Sequence, residues 1–180
     1  MIDFATPEKN LEELNLNGDT VLADLGAGTG YYSWAAASII AKHGGKGHVY
    51  AIDVQKSLLE RITTEATRRG IGNLRVIWGD VDRMGGTKLA DNNLDAVIVS
   101  NVLFQAENKK TFLQEATRIL KPGGKMMLID WSDSFGQMGP HPDQVMTESR
   151  ALELASSVGL EKVRGFIAGA HHWGLILKKR

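Results

Sequence analysis

Short apolar runs alternate along the chain with longer segments whose apolar residues recur at helical spacing, and glycine, asparagine and proline separate them. The short runs predict strands at 20–25, 48–52, 74–78, 94–100, 125–131, 160–167 and 172–178. The longer segments predict helices at 7–14, 31–42, 55–69, 109–120 and 148–158. The fourth run, LDAVIVS, is apolar on both sides, which is typical of a strand buried inside a parallel sheet.

This regular alternation predicts one α/β domain over residues 1–180. The domain is expected to begin with an N-terminal helical segment at 1–19. We expect a doubly wound, Rossmann-like sheet of seven strands, mostly parallel, with helices on both faces. A short glycine-containing link joins the last two strands and predicts a C-terminal antiparallel hairpin. The Lys-Pro-Gly-Gly sequence at 121–124 predicts a turn before the fifth strand.

Composition and charge narrow the classes of function. No apolar run approaches the roughly 20 residues that a membrane-spanning helix needs, and the first residues resemble no secretory signal. We therefore expect a cytoplasmic protein without a membrane span. The 21 basic and 21 acidic residues give no net charge to attract a nucleic acid, so no nucleic-acid partner is expected. The lack of cysteine removes thiolate chemistry and cysteine-bound metals.

A glycine-rich turn follows the first predicted strand, in the stretch Asp24-Leu25-Gly26-Ala27-Gly28-Thr29-Gly30. Glycines allow positive φ and let a ligand approach the bare backbone, and here a strand precedes the turn and a helix follows it. The dinucleotide fingerprint requires glycine or alanine where Tyr31 stands, which disfavours an NAD(P)-dependent oxidoreductase but keeps it as an alternative.

The motif formed by Asp24 and the three alternate glycines resembles that of the class I S-adenosylmethionine-dependent methyltransferases. The resemblance covers nearly the whole chain and implies S-adenosylmethionine as cofactor. It implies that Asp53 accepts both ribose hydroxyls, that Asp80 takes the adenine amine, and that Asn101 lies under the methionine part. The residues implied in cofactor binding are Asp24, Gly26, Ala27, Gly28, Gly30, Asp53, Val54, Gly79, Asp80, Val81, Ser100 and Asn101.

Each acid also has a purely structural interpretation. Asp24 could cap the glycine turn, Asp53 could cap the helix that begins near Gln55, and Asp80 could be an ordinary loop residue. Taken together, acids at the carboxyl ends of three successive strands favour a shared ligand.

Within that superfamily the chain is similar to the compact ubiquinone/menaquinone-biosynthesis methyltransferases, through Trp131, the Met138-Gly139-Pro140 loop and the terminal His172-Trp173-Gly174-Leu175. This implies an enzyme that methylates a small-molecule or lipid-like acceptor. The segment Ser100-Asn101-Val102-Leu103-Phe104 lacks the Pro-Pro-aromatic sequence of amino-nitrogen methyltransferases, and without cysteine C5-methylcytosine formation and thiol-assisted arsenic methylation are excluded. A cofactor-binding protein without catalysis remains an alternative.

Three histidines are expected at the cofactor end of the sheet. His141 lies in the long segment 132–146, which we predict to be a substrate lid because it exceeds the usual two to six residues of such a connection. His171 and His172 begin the last, antiparallel strand. We predict that His172, and secondarily His141, contacts the acceptor as a catalytic residue. No metal site is expected, because adjacent histidines on a strand point to opposite faces.

Overall fold

A computed structural model of the chain describes residues 6–135 and 139–180, which fold into five α-helices and seven strands. The strands are β1 (Val21–Leu25), β2 (His48–Asp53), β3 (Leu74–Trp78), β4 (Leu94–Ser100), β5 (Leu120–Trp131), β6 (Leu160–Gly169) and β7 (His172–Lys179). The helices are α1 (Pro7–Leu11), α2 (Tyr31–Lys42), α3 (Lys56–Arg68), α4 (Lys109–Ile119) and α5 (Glu148–Ser157). Short 3-10 helices occupy Glu12–Leu14, Leu103–Gln105 and Pro142–Gln144.

The seven strands form one sheet in the order β3-β2-β1-β4-β5-β7-β6. Strands β1 to β5 pair in parallel, and β7 is antiparallel to both β5 and β6. The predicted fold class is therefore confirmed. At the end of β1, Leu25 pairs with Ile52 of β2 and with Val99 of β4. The residues that follow these three strands consequently meet at one edge of the sheet.

Helices cover both faces of the sheet, as its alternating apolar side chains require. On one face Val97 and Val99 are fully buried in the cluster that contains Leu113 of α4 and Ala151 of α5. On the other face Ile98 is buried in the cluster that contains Leu11, Leu22 and Ile40. A smaller cluster packs α3 beside α2 through Trp34 and Ile62. No helix of the described chain has the length and apolar character needed to cross a bilayer.

Helices α4 and α5 each begin at a side chain that caps the first turn. The Asn108 side chain accepts a hydrogen bond from the Thr111 amide at 3.0 Å, and the Thr147 hydroxyl accepts one from the Arg150 amide at 3.2 Å. Each bond satisfies an amide that has no partner inside the first turn of a helix.

Two local features differ from the sequence-based expectation. The predicted N-terminal helix at 7–14 is an α-helix only over Pro7–Leu11 and continues as a 3-10 helix over Glu12–Leu14, where the left-handed Asn15 (φ 53°) ends it. Residues 1–5 of this segment lie outside the described chain. The predicted turn at 121–124 lies within the bounds of β5, where the pairing jumps from Leu94 with Leu120 to Ala96 with Lys125. The four residues between form a bulge, and Gly123 supplies its positive φ of 78°.

Candidate functional site

A cleft of about 690 Å³ opens at the carboxyl ends of β1, β2, β3 and β4. It contains every predicted cofactor residue except Gly30. Its lining is Pro7, Asp24, Gly26, Ala27, Gly28, Thr29, Tyr31, Tyr32, Asp53, Val54, Gln55, Leu58, Gly79, Asp80, Val81, Asp82, Ser100, Asn101, Val102, Gln105, Ala106 and Phe112. The structure thus brings four separate loops of the predicted site into one concave surface.

The glycine turn presents bare backbone to this cleft. The amides of Gly26 and Ala27 donate to the Ile52 carbonyl at 2.9 and 3.0 Å, which fixes the turn to β2. Gly28 has a φ of 53°, and a Cβ placed on it would meet no atom closer than the Gly26 carbonyl oxygen at 3.8 Å. A side chain at Gly28 would therefore extend into the space where a cofactor is expected.

Close packing, rather than room for a ligand, explains the glycine at position 30. It precedes α2 with a φ of 88°, and a Cβ there would lie 2.7 Å from the Ile62 side chain and 3.2 Å from the Trp34 ring. Gly30 does not line the cleft. Its place in the motif is explained by the close packing of α2 against α3.

Asp53 joins the glycine turn to the start of α3. One carboxylate oxygen accepts the Gly28 amide and the other accepts the Gln55 amide, both at 2.9 Å. The residue is buried and lines the cleft. Because each carboxylate oxygen can accept two hydrogen bonds, each keeps one acceptor position, as recognition of a diol requires.

Asp24 is the second buried acid of the cleft. Its carboxylate accepts the Ser33 hydroxyl at 2.6 Å. Burial raises the pKa of Asp24 to about 6; the hydrogen bonds from Ser33 oppose this increase, and the neighbouring Asp53 charge adds to it. A cation bound in the cleft would favour the ionised form of Asp24.

Asn101 adopts a left-handed conformation (φ 54°) directly after β4. Its amide donates to the Ile129 carbonyl at 2.9 Å, and its own carbonyl accepts the Gln105 side chain at 3.2 Å. The side-chain oxygen of Asn101 is buried and has no hydrogen-bond partner within the described residues. A ligand that donated a hydrogen bond would satisfy it.

A hydrogen-bonded tyrosine stands beside Ser100 on the cleft wall. The Tyr32 hydroxyl accepts the Asn10 side-chain amide at 2.8 Å, and Asn10 also donates to the Ala168 carbonyl at 3.0 Å. Burial raises the pKa of Tyr32, although its hydrogen bonds with Asn10 and Ser100 oppose the increase. These contacts tie α1 to α2 and to β6 at the edge of the cleft.

The turn after β3 carries two acids, Asp80 and Asp82. The Asp80 carboxylate accepts the Asp82 amide at 3.1 Å and forms an ion pair with the Arg83 side chain at 2.9 Å. The Asp82 carboxylate accepts the Glu107 amide at 3.2 Å through one oxygen. The two contacts of the Asp80 carboxylate lie within the turn, whereas the hydrogen bond of the Asp82 carboxylate reaches the loop after β4.

The predicted catalytic histidines lie outside the cleft lining. His172 is buried against Trp131, with ring centroids 4.3 Å apart, and neither of its ring nitrogens has a hydrogen-bond partner within the described residues. Burial lowers the pKa of His172. His141 is exposed and lies 3.3 Å from the Asp143 carboxylate. His171 instead contacts Asp133 at 2.9 Å, and no group of three or more metal-ligating side chains occurs in the described chain.

A second cavity, of about 470 Å³, adjoins the cleft and shares Gln105 and Ala106 with it. It lies between the 3-10 helix after β4 and the segment that leads into α5. Its other lining residues are Phe104, Lys109, Asp143, Gln144, Val145, Met146, Thr147 and Arg150. Residues 143–146 of the predicted lid therefore border this cavity, while 136–138 lie outside the described residues.

Several residues that line the cleft were not predicted from the sequence. Tyr31 and Tyr32 directly follow the glycine turn, and their position in the first turn of a helix at this edge was the available signal. Asp82 stands two residues after Asp80, and only the course of the turn brings it into the cleft. Phe112 belongs to a helix whose apolar spacing indicates core packing rather than a ligand.

This fold, with a ligand cleft at the carboxyl ends of its parallel strands, is that of a Rossmann-like cofactor-binding domain. The sequence matches the methyltransferase-domain family over residues 16–179, and the chain belongs to that family. A solved S-adenosylmethionine-dependent methyltransferase from Aquifex aeolicus is 25% identical, with a TM-score of 0.85 over 97% of this chain and 89% of that one. The predicted class of domain, that of the S-adenosylmethionine-dependent methyltransferases, is thereby confirmed.

The curated relatives are named for two different methyl acceptors. The ubiquinone/menaquinone biosynthesis C-methyltransferase of Haemophilus ducreyi is 31% identical over 116 residues, which cover 64% of this chain and 42% of that protein. An arsenite methyltransferase of Halobacterium salinarum is 28% identical over 135 residues, which cover 75% of this chain and 32% of that protein. The chain thus spans about one third to two fifths of the length of these relatives.

Proposed function

We propose that this protein is a cytoplasmic enzyme that transfers the methyl group of S-adenosylmethionine to a small-molecule or lipid-like acceptor. The observation that carries the proposal is the arrangement of the buried acids Asp24 and Asp53 around an open glycine turn, in a chain of the methyltransferase-domain family. The cleft volume of about 690 Å³ is within the usual range for a pocket that binds a cofactor-sized molecule.

The cleft residues suit the separate parts of this cofactor. Asp53 keeps an acceptor position on each oxygen for the two ribose hydroxyls, and its position is fixed by two backbone amides. The unpartnered side-chain oxygen of Asn101 is available to the ammonium group of the methionine part. Gly28 leaves room for the same part beside the turn. The exposed Val54 side chain offers an apolar surface to the base.

We place the acceptor over the ends of β4 and β5, in the second cavity. This cavity adjoins the cofactor cleft at Gln105 and Ala106, so a molecule in it would reach the end of β4 where the methionine part is proposed to bind. Phe104 and Met146 give it apolar walls, which suit an aromatic or lipid-like body. Residues 143–146 would act as the inner part of a lid over this acceptor.

Methyl transfer is an in-line displacement, for which S-adenosylmethionine supplies an electrophilic methyl group on a sulfonium. The protein must align the acceptor atom and exclude water. His172 and His141 line neither cavity, so we propose that they contact the acceptor only once the lid closes over it. Burial favours the neutral imidazole of His172, whose free nitrogen can accept a proton from a hydroxyl or ring-carbon acceptor.

Between the two acceptors named among the relatives, the residues favour the quinone class. Arsenic is a soft element that proteins bind through thiolates, and this chain has no cysteine. A phenolic or quinol ring requires only an apolar pocket and a proton acceptor. We therefore propose an aromatic, quinol-like acceptor.

The proposal is tested by incubating the purified protein with radiolabelled S-adenosylmethionine and a desalted small-molecule and lipid extract. Label should appear in an organic-soluble product, and much less of it should appear with the Asp53→Ala variant when the cofactor is held near the wild-type dissociation constant. Binding of S-adenosylhomocysteine without label transfer to any fraction would instead support a non-catalytic cofactor-binding protein. Binding of NAD in preference to S-adenosylhomocysteine would support an oxidoreductase.

A further inference from the structure

A buried carboxylate lies where the pairing of β4 with β5 ends. The last pair of these two strands is Ser100 with Ile129, and Asp130 follows directly on β5. Asp130 is fully buried. One of its carboxylate oxygens accepts the Phe104 amide at 3.0 Å, and the other accepts the Trp131 amide at 2.9 Å. This carboxylate therefore joins the end of β5 to the 3-10 helix that follows β4.

The bond from Asp130 holds Phe104 from outside its own loop. The amides of Gln105 and Ala106 donate to carbonyls three residues earlier, so their bonds stay within the same short segment. Phe104 lines the second cavity, while Gln105 and Ala106 border both that cavity and the cofactor cleft. The wall between the cofactor and the proposed acceptor is consequently tied to β5 through Asp130.

The charge of Asp130 suits this task better than a neutral side chain would. Burial raises the pKa of Asp130 to about 6, while the hydrogen bonds from Trp131 and Phe104 and the charge of Lys109 oppose the increase. The carboxylate is thus mainly ionised at neutral pH, and an ionised acceptor forms stronger hydrogen bonds than a neutral one. An asparagine would offer one oxygen to two amides. Asp130 lines neither cavity, so it can act on a bound molecule only through the residues that it holds.

We infer that Asp130 is a positioning residue that fixes Phe104 against the acceptor and thereby orients the acceptor for methyl transfer. This inference rests on the proposed function and on the placement of the acceptor in the second cavity. An aromatic wall that is held in place restricts the orientations of a ring packed against it, which favours in-line alignment. Loosening of this wall should weaken acceptor binding and leave the cofactor contacts at Asp53 and Gly28 unchanged.

The experiment follows the Phe104 amide directly. The chain has five phenylalanines, so labelling them with ¹⁵N gives few amide signals, and the Phe104 signal is the one that the Phe104→Leu variant lacks. In the presence of S-adenosylhomocysteine, the Phe104 amide of the wild-type protein should exchange with solvent at least about tenfold more slowly than that of Asp130→Ala. The retained hydrogen bond is the physical reason.

The same signal reports on the acceptor site. Naphthohydroquinone, added without oxygen as a quinol probe, should shift the Phe104 signal of the wild-type protein. Its dissociation constant from this titration should be at least about fivefold higher for Asp130→Ala, whereas calorimetry should give an S-adenosylhomocysteine affinity within about twofold of wild type. A role in stability alone would not separate these two affinities.

Asp95→Ala is the matched control. Asp95 also accepts a backbone amide, that of Val21 at 2.9 Å, but it lines neither the cleft nor the second cavity. This variant should keep both the Phe104 exchange rate and the probe affinity within about twofold of wild type. If Asp130→Ala fails to fold in a thermal scan, Asp130→Asn, which keeps one acceptor oxygen, should still raise the probe dissociation constant at least about threefold.

Equal probe affinities for the wild-type protein and the folded Asp130 variant would overturn the inference. A wild-type Phe104 amide that exchanges as fast as an unstructured one would also overturn it, whether or not any variant folds. A Phe104 signal that does not respond to naphthohydroquinone would overturn it together with the placement of a quinol acceptor in the second cavity. No binding of S-adenosylhomocysteine would contradict the proposed function itself, and calorimetry measures that separately.

Discussion

Replacement of Asp53 by alanine is the substitution whose consequences the structure defines best. The proposed ribose contacts are two hydrogen bonds to an ionised group, each worth about 1.5 to 3 kcal/mol. Such contributions are not additive, so we expect the dissociation constant of S-adenosylhomocysteine to rise at least tenfold, or about 1.4 kcal/mol. Asp53 also accepts the Gly28 and Gln55 amides, both at 2.9 Å. These amides lie near the open cleft, where water can replace part of the hydrogen bonding that the substitution removes.

The cost to stability should therefore be about 1 kcal/mol, or a fall of roughly 2 to 4 °C in the unfolding midpoint. Asp95→Ala is the matched control. Asp95 likewise accepts a backbone amide, that of Val21 at 2.9 Å, and pairs with Lys121 at 2.6 Å, but it does not line the cleft. It should lower the midpoint while the affinity for S-adenosylhomocysteine stays within about twofold. Calorimetry that gives Asp53→Ala the wild-type dissociation constant would refute the ribose assignment.

Three further variants test other parts of the site. Gly28→Val should weaken S-adenosylhomocysteine binding more than about tenfold, whereas Gly85→Val, also at positive φ but away from the cleft, should not; equal affinities would show that the turn does not approach the cofactor. His172→Ala should keep S-adenosylhomocysteine affinity within about twofold and lower turnover on the acceptor; unchanged turnover, or an unfolded variant, would place the acceptor elsewhere. Asp24 has a pKa of about 6 when folded, against 3.8 unfolded, so its ionisation should cost about 3 kcal/mol of stability as pH rises from 4 to above 6. Asp24→Asn should remove this cost, and a stability difference from wild type that is constant over that pH range in urea unfolding would contradict it.

The order of elements could be predicted from the sequence because its apolar periods switch cleanly between strand and helix. Every predicted strand is present, and the alternation of strand and helix determines which strand ends meet at one edge. The sequence therefore predicts that the strand-end acids Asp24, Asp53 and Asp80 share one cleft, and all three line it. A local sequence pattern, combined with the topology of a parallel sheet, was sufficient to predict the position of these acids.

What the sequence could not provide was the course of the loops. Asp80 and Asp82 lie in one turn, but the partners that their carboxylates contact depend on the course of that turn, and the alternation of residues carries no information about it. Gly30 belongs to the glycine motif, but its close contact is with Ile62, more than thirty residues away in sequence. Likewise, the spacing of His172 places it at the correct end of the sheet without showing that its ring packs on Trp131.

Calorimetric titration of the wild-type protein with S-adenosylhomocysteine and, separately, with NAD tests the central claim most directly. The arrangement of Asp53, Gly28 and Asn101 predicts binding of S-adenosylhomocysteine at about micromolar strength, and tighter than NAD. No heat of binding with S-adenosylhomocysteine, together with saturable binding of NAD, would contradict the account.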